Sequence, residues 1–167
     1  IDANGCQEIV SVTISEPDLI IAIPTLTHIT CNGGSDGAAT VIATGGTPPY
    51  NYLWSPGGQV TQTVTNLWPT TYTCTITDAN SCQEIVSVTL TEPAPITAIT
   101  SSTNVTCNGM NDGTATVVAT GGTPPYNYLW IAGFQTTQTV TGLSPGTYAC
   151  AITDANGCAF PGNFISV

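Results

Sequence analysis

The sequence predicts an all-β protein built from tandem β-sandwich modules, and three observations carry that reading. The stretch GGTPPYNYLW at 45–54 recurs letter for letter at 121–130. Cys6, Cys82 and Cys158, Cys31 and Cys107, and Cys74 and Cys150 are spaced by 76 residues without slippage, and 38 of the 52 positions of 31–82 are identical in 107–158. Duplication of one small module explains both. Thr, Val and Ile alternate in short runs between Gly, Pro, Asn and Asp clusters, the period-2 pattern of half-buried strands. With 41% apolar and only 6% charged residues, the chain lacks the composition of a disordered protein.

The period divides the chain into 1–17, 18–93 and 94–167. IDANGCQEIVSVTISEP at 1–17 matches TDANSCQEIVSVTLTEP at 77–93, so residues 6–14 read as the closing strand of a preceding repeat and the chain as an excerpt of a longer array. In the first full module, DLIIAIPTLTHIT is a first strand broken by Pro24, whose missing N–H suits an edge. CNGGSDG at 31–37 is turn chemistry, and AATVIAT returns. After GGTPP, the run YNYLW places Tyr50, Tyr52 and Trp54 on one face, taken as the core. SPGG reads as another reversal, with QVTQTVTNL running back. In TYTCTIT, Tyr72, Cys74 and Ile76 face inward and Thr71, Thr73, Thr75 and Thr77 outward. DANSC turns into the closing strand EIVSVTL, and a Glu-Pro segment links the modules. Six to seven short strands with a Trp on a middle strand and Tyr-x-Cys near the end fit an immunoglobulin-like sandwich, with a small barrel as the alternative.

Charge narrows the function. Ten Asp and Glu stand against no Lys or Arg, a net charge of −10. Such a surface repels phosphate backbones and anionic lipid, which sets aside nucleic acid and membrane surfaces as partners. The longest aliphatic run, Leu19 to Ile23, falls far short of the roughly 20 residues a spanning helix needs. The partners left are neighbouring identical repeats, in the same or an adjacent chain, and surface glycans.

Seven cysteines in a short chain point to an oxidising, extracellular location. Zinc is the competing reading, but no C-x-x-C pair occurs and His28 is the only histidine. If the strands run alternately up and down, Cys31 and Cys82 share one end of the module. Disulfides Cys31–Cys82 and Cys107–Cys158 are therefore expected. Cys74 and Cys150 are then buried free thiols or partners in an inter-module bridge, and Cys6 has no partner within the chain.

Other residues could carry chemistry. Asp36, Asp78, Asp112 and Asp154 lie in turns assigned to that same end, where calcium is a possible ligand and Asx-type turns are the plainer reading. No cofactor is required. Trp54 and Trp130 read as core plugs, while Trp68, whose counterpart is Ser144, reads as exposed. His28 corresponds to Asn104, so the scaffold does not need a histidine there. Asn104-Val105-Thr106 is the one N-x-[ST] sequon and the glycosylation candidate.

The string CNG-x-x-DG-x-x-T-V, then GGTPPYNYLW, then GTY-x-C-x-ITDANGC and a Glu-Pro linker, resembles the SprB-type repeat of gliding-motility adhesins in Bacteroidota. The resemblance implies a non-enzymatic immunoglobulin-like module of long cell-surface or secreted proteins, many of them exported by type IX secretion. Cys74 and Cys150 are additional to that pattern, and CAFPGNFISV at 158–167 departs from CQEIVSVTLTEP. The function expected is a structural or adhesive module of an extracellular fibre. A carbohydrate-binding module is the alternative, for which only Trp68 and Phe134 offer exposed aromatics.

Overall fold

The computed structural model describes residues 9–131 and 133–166, with the backbone alone for 161–166. All regular structure among them is β-strand. The first module contains β1 (Ile21–Thr27), β2 (Gly37–Thr44), β3 (Asn51–Ser55), β4 (Thr63–Leu67), β5 (Thr71–Thr77) and β6 (Gln83–Thr89). The second contains β7 (Thr97–Thr103), β8 (Gly113–Thr120), β9 (Asn127–Trp130), β10 (Thr139–Leu143), β11 (Thr147–Thr153) and β12 (Ala159–Ser166).

Each module is two antiparallel three-stranded sheets, ordered β1-β2-β4 and β3-β5-β6 in the first and β7-β8-β10 and β9-β11-β12 in the second. In immunoglobulin lettering these are sheets A-B-E and C-F-G, with strand D replaced by the loop at 56–62. Pro24 does not interrupt β1, because β1 is an edge strand and Pro24 pairs with Val41 in unbroken register.

Alternation makes the core. Ala39 and Val41 of β2, Trp54 of β3, Val64 of β4, and Tyr72, Cys74 and Ile76 of β5 are all buried, and Tyr50 and Tyr52 pack against them. The second module repeats this with Ala115, Val117, Trp130, Val140, Cys150 and Ile152, with Tyr126, Tyr128 and Tyr148 alongside. The indole N–H of Trp54 donates to the Thr61 carbonyl at 2.9 Å, and that of Trp130 to Thr137 at 2.9 Å, so each plug is satisfied while buried. Tyr72 sits two residues before Cys74 at the start of β5 and meets the backbone of Trp68 through its hydroxyl. Tyr148 likewise donates to the Ser144 carbonyl at 2.9 Å. These are tyrosine corners. They use backbone atoms, which is why Trp68 can be replaced by Ser144 and lies 59% exposed.

The loop at 56–62 changes the direction of everything after it. Strand β3 pairs with β5, whereas β4 pairs with β2 in the opposite sheet, and β3 and β4 run the same way. SPGG does turn the chain, since Gly58 N–H donates to the Trp54 carbonyl at 2.8 Å and Trp54 N–H to the Gln59 carbonyl at 2.9 Å, but the return is short: by Gln62, whose carbonyl accepts from Val41 N–H at 3.1 Å, the chain has crossed to the other sheet. With no strand between β3 and β4, β1 and β6 run parallel, side by side. The turn after β1 and the turn before β6 therefore lie at opposite ends of the module.

Residues 9–14 form no strand. Ile9, Val10, Val12 and Ile14 are exposed, in contrast to the closing strand expected over 6–14, because a strand is defined by a partner and none is present among the described residues. Cys6 and the start of that segment lie outside the described residues.

Candidate functional site

The crossover overturns the expected disulfides. Cys31 is bonded to Cys158, 127 positions away in sequence with Cα atoms 5.6 Å apart, and not to Cys82. Cys82 and Cys107 carry free, exposed thiols. Cys31 lies at the end of the first module where β1 finishes, Cys82 at the end where β6 begins, and the length of the sandwich separates them. Cys158 is the counterpart of Cys82 in the next module, so the bridge joins the far end of one repeat to the near end of the following one.

Hydrogen bonds bind the same junction. Asn32 Nδ2 donates to the Pro93 carbonyl at 3.1 Å, Gly33 N–H to Glu92 Oε2 at 2.6 Å and Asn156 Nδ2 to the Thr30 carbonyl at 3.4 Å. Thr91 N–H donates to His28 Nδ1 at 3.1 Å, which gives the single histidine a capping role on the linker. Linker, first turn and last turn thus converge on a groove lined by Cys31, Pro93, Ile96, Asp154, Cys158 and Phe160 among others. The CNG motif and the Glu-Pro linker, conspicuous in the sequence, are the two halves of this joint.

The turns that frame it are built by Asp and Gly. Asp154 Oδ1 accepts from Asn156 and Cys158 N–H at 2.9 Å each, and Oδ2 from Thr123 N–H at 2.8 Å. Asp78 does the same with Asn80, Cys82 and Thr47. Burial raises both carboxyls, but the N–H donors outweigh it and hold each pKa below the ordinary carboxylate value. Asp36 and Asp112 are lowered too, chiefly by the hydroxyls of Thr30 and Thr106 and then by their backbone N–H groups. A Cβ on Gly122 would lie 2.7 Å from Asp154 Oδ2, and one on Gly121 2.0 Å from the Pro95 carbonyl, both at positive φ. That is the physical reason for the GG of GGTPPYNYLW.

The four aspartates do not form the shared end expected of them. Asp36 and Asp112 stand in first turns, Asp78 and Asp154 in last turns, at opposite ends of each module. Asp36 and Asp112 serve donors of their own turns, Asp78 and Asp154 also the neighbouring turn at Thr47 and Thr123, and no group of three or more His, Cys, Asp or Glu converges among the described residues. Cys74 and Cys150 are buried and unbonded on β5 and β11. They occupy the place of the second cysteine of an antibody-type domain, but the inward residues of β2 are Gly37, Ala39 and Val41, so there is no thiol across the core. Burial pushes both thiols up, only partly offset by hydrogen bonds from Leu53 and Leu129. Asn104 is exposed in the loop after β7. Trp68 and Phe134 are exposed in loops of different modules and build no common aromatic row.

The class so defined is a tandem immunoglobulin-like repeat protein whose most elaborated site is the joint between modules. Segments 24–59 and 99–133 match the family model described as SprB repeat, one segment in each module. No curated protein sequence matches it significantly. Among solved structures, it is similar to the C-terminal 282-residue fragment of intimin in complex with the intimin-binding domain of the translocated intimin receptor, at 15% identity and TM-score 0.43. That alignment covers 92% of this chain and 64% of the intimin fragment, so the chain spans just under two thirds of it. It is also similar to the first two immunoglobulin domains of DIP-gamma, at 13% identity and TM-score 0.35, over 86% of this chain and 95% of that one.

Proposed function

We propose that this chain is a non-enzymatic, load-bearing segment of a cell-surface or extracellular adhesive fibre, its modules stacked end to end. The observation that supports this reading best is the joint itself. A disulfide, three hydrogen bonds between first turn, linker and last turn, and a Pro-containing linker fix one module on the next, the arrangement a rod requires and a flexible tether lacks. The SprB repeat matches are in keeping with an adhesin-type role and a location at or outside the cell surface. Among the described residues no helix is long and apolar enough to cross a membrane. The acidic surface favours solubility and disfavours binding to nucleic acid or anionic lipid.

The test is the axial repeat. Strands of four to eight residues, at roughly 3.3 Å each, together with their turns, give an advance of about 30–45 Å per module. Electron microscopy of native material should show a thin fibre with that spacing. A compact globule with no axial repeat would overturn the proposal.

A further inference from the structure

The bonded cysteines each have an unbonded twin. Cys107 is to the second module what Cys31 is to the first, and Cys82 is to the first what Cys158 is to the second, each 76 residues apart. The surroundings repeat as well. On the outward end of the second module, Thr106, Asn108 and Gly109 stand where Thr30, Asn32 and Gly33 make the joint. On the outward end of the first, Glu16, Pro17 and Asn80 stand where Glu92, Pro93 and Asn156 receive it.

The receiving end is already shaped. Gly46 N–H donates to the Asp18 carbonyl at 2.7 Å just as Gly122 N–H donates to the Ala94 carbonyl at 2.8 Å, so segment 16–20 lies on its module as 92–96 lies on the next. A groove runs beside Cys82, lined by Pro17, Ile20, Gly46, Asp78 and Glu84, the counterparts of Pro93, Ile96, Gly122, Asp154 and Phe160. At the inner joint, two further lining residues, Cys31 and Asn32, come from the neighbouring module.

We infer that the two outward ends are complementary covalent docking sites for a second copy of this repeat, joined head to tail by a Cys107–Cys82 disulfide. The register is that of the bonded joint: Asn108 donates to the Pro17 carbonyl of the second copy, Gly109 N–H to its Glu16 carboxylate, and its Asn80 to the Thr106 carbonyl. This inference deepens the rod reading and rests on it, adding that the array is stapled at every joint and extends between copies. Formation of the bond oxidises two thiols. With a small-molecule disulfide as oxidant, one thiolate attacks it to give a mixed disulfide and a released thiol. The partner thiolate then displaces the second, so two electrons and two protons pass to the oxidant.

The experiment uses two variants of the whole chain, both with Cys6→Ser to remove that thiol. One carries Cys82→Ser and presents only Cys107; the other carries Cys107→Ser and presents only Cys82. They are incubated in oxidised glutathione, separately and mixed in equal amounts, with the two variants distinguished by mass. The expected result is that the mixed dimer forms at least tenfold faster than either homodimer, and that Asn80→Ala in the Cys82-bearing variant slows it. Collisional oxidation would give all three dimers in roughly statistical yield. That outcome, or no covalent dimer, overturns the inference while leaving the axial-spacing test of the rod untouched.

Discussion

Replacing Trp54 by alanine tests the core and its face assignment together. The Trp54 side chain is fully buried, and a buried Trp withdraws roughly 150–250 Å² from water. At about 25 cal/mol per Å² that amounts to about 4–6 kcal/mol, of which alanine retains a small part. The indole hydrogen bond adds little, because its acceptor, the carbonyl of exposed Thr61, can turn to water. Packing therefore dominates, and Trp54→Ala is expected to cost about 3–5 kcal/mol, the range of large aromatic truncations in cores. Trp68 is 59% exposed and its counterpart Ser144 makes the same backbone contact to the tyrosine, so Trp68→Ala should cost under about 1 kcal/mol. Urea unfolding followed by circular dichroism measures both, and hydrogen exchange of β5 against β11 assigns the loss to the first module. Equal losses for the two variants would refute the assignment of faces.

Two further outcomes follow from the cysteines and aspartates. A thiol-labelling reagent should modify Cys82 and Cys107 at once in the native protein, and Cys74 and Cys150 only after unfolding, since their thiols are buried and held protonated; labelling of all four at one rate would contradict the core placement. Asp36, Asp78, Asp112 and Asp154 all have folded pKa values below their unfolded ones. Their contribution is complete above the unfolded carboxylate value near pH 4 and is lost as pH falls through the folded values. Denaturation midpoints should therefore fall steadily below about pH 4. Asp78→Asn and Asp154→Asn should flatten that fall; an unchanged profile in the double variant would show that these turns do not depend on charge.

The repeat, the strands and the core were legible because each is written in local chemistry. Alternation placed Tyr72, Cys74 and Ile76 inside, and Ser144 opposite Trp68 marked a site where the side chain is optional. The disulfides were not legible, since they depend on a single reversal. The Pro56-Gly57-Gly58 segment has the composition of a hairpin turn, and nothing local to it says that Thr63 pairs with Thr40 in the other sheet. The six-strand count was the available signal: an immunoglobulin order without strand D sends C and E in the same direction and puts Cys31 and Cys82 at opposite ends. Likewise, the first-turn and last-turn aspartates were placed together by the same parity, and they part for the same reason. The joint was half visible, in the CNG and Glu-Pro motifs, but its two halves belong to different modules and meet only in three dimensions.

The central claim is that the staple joins modules rather than closing one, and disulfide mapping decides it. The absence of Lys and Arg rules out tryptic cleavage, but cleavage before each Asp under non-reducing conditions separates the cysteines usefully. Fragment 18–35 carries Cys31, 78–111 carries both Cys82 and Cys107, and 154–167 carries Cys158. The mass expected is that of 18–35 joined to 154–167, resolved on reduction into the two peptides. A species joining 18–35 to 78–111 would restore the bridge within the module and contradict the account.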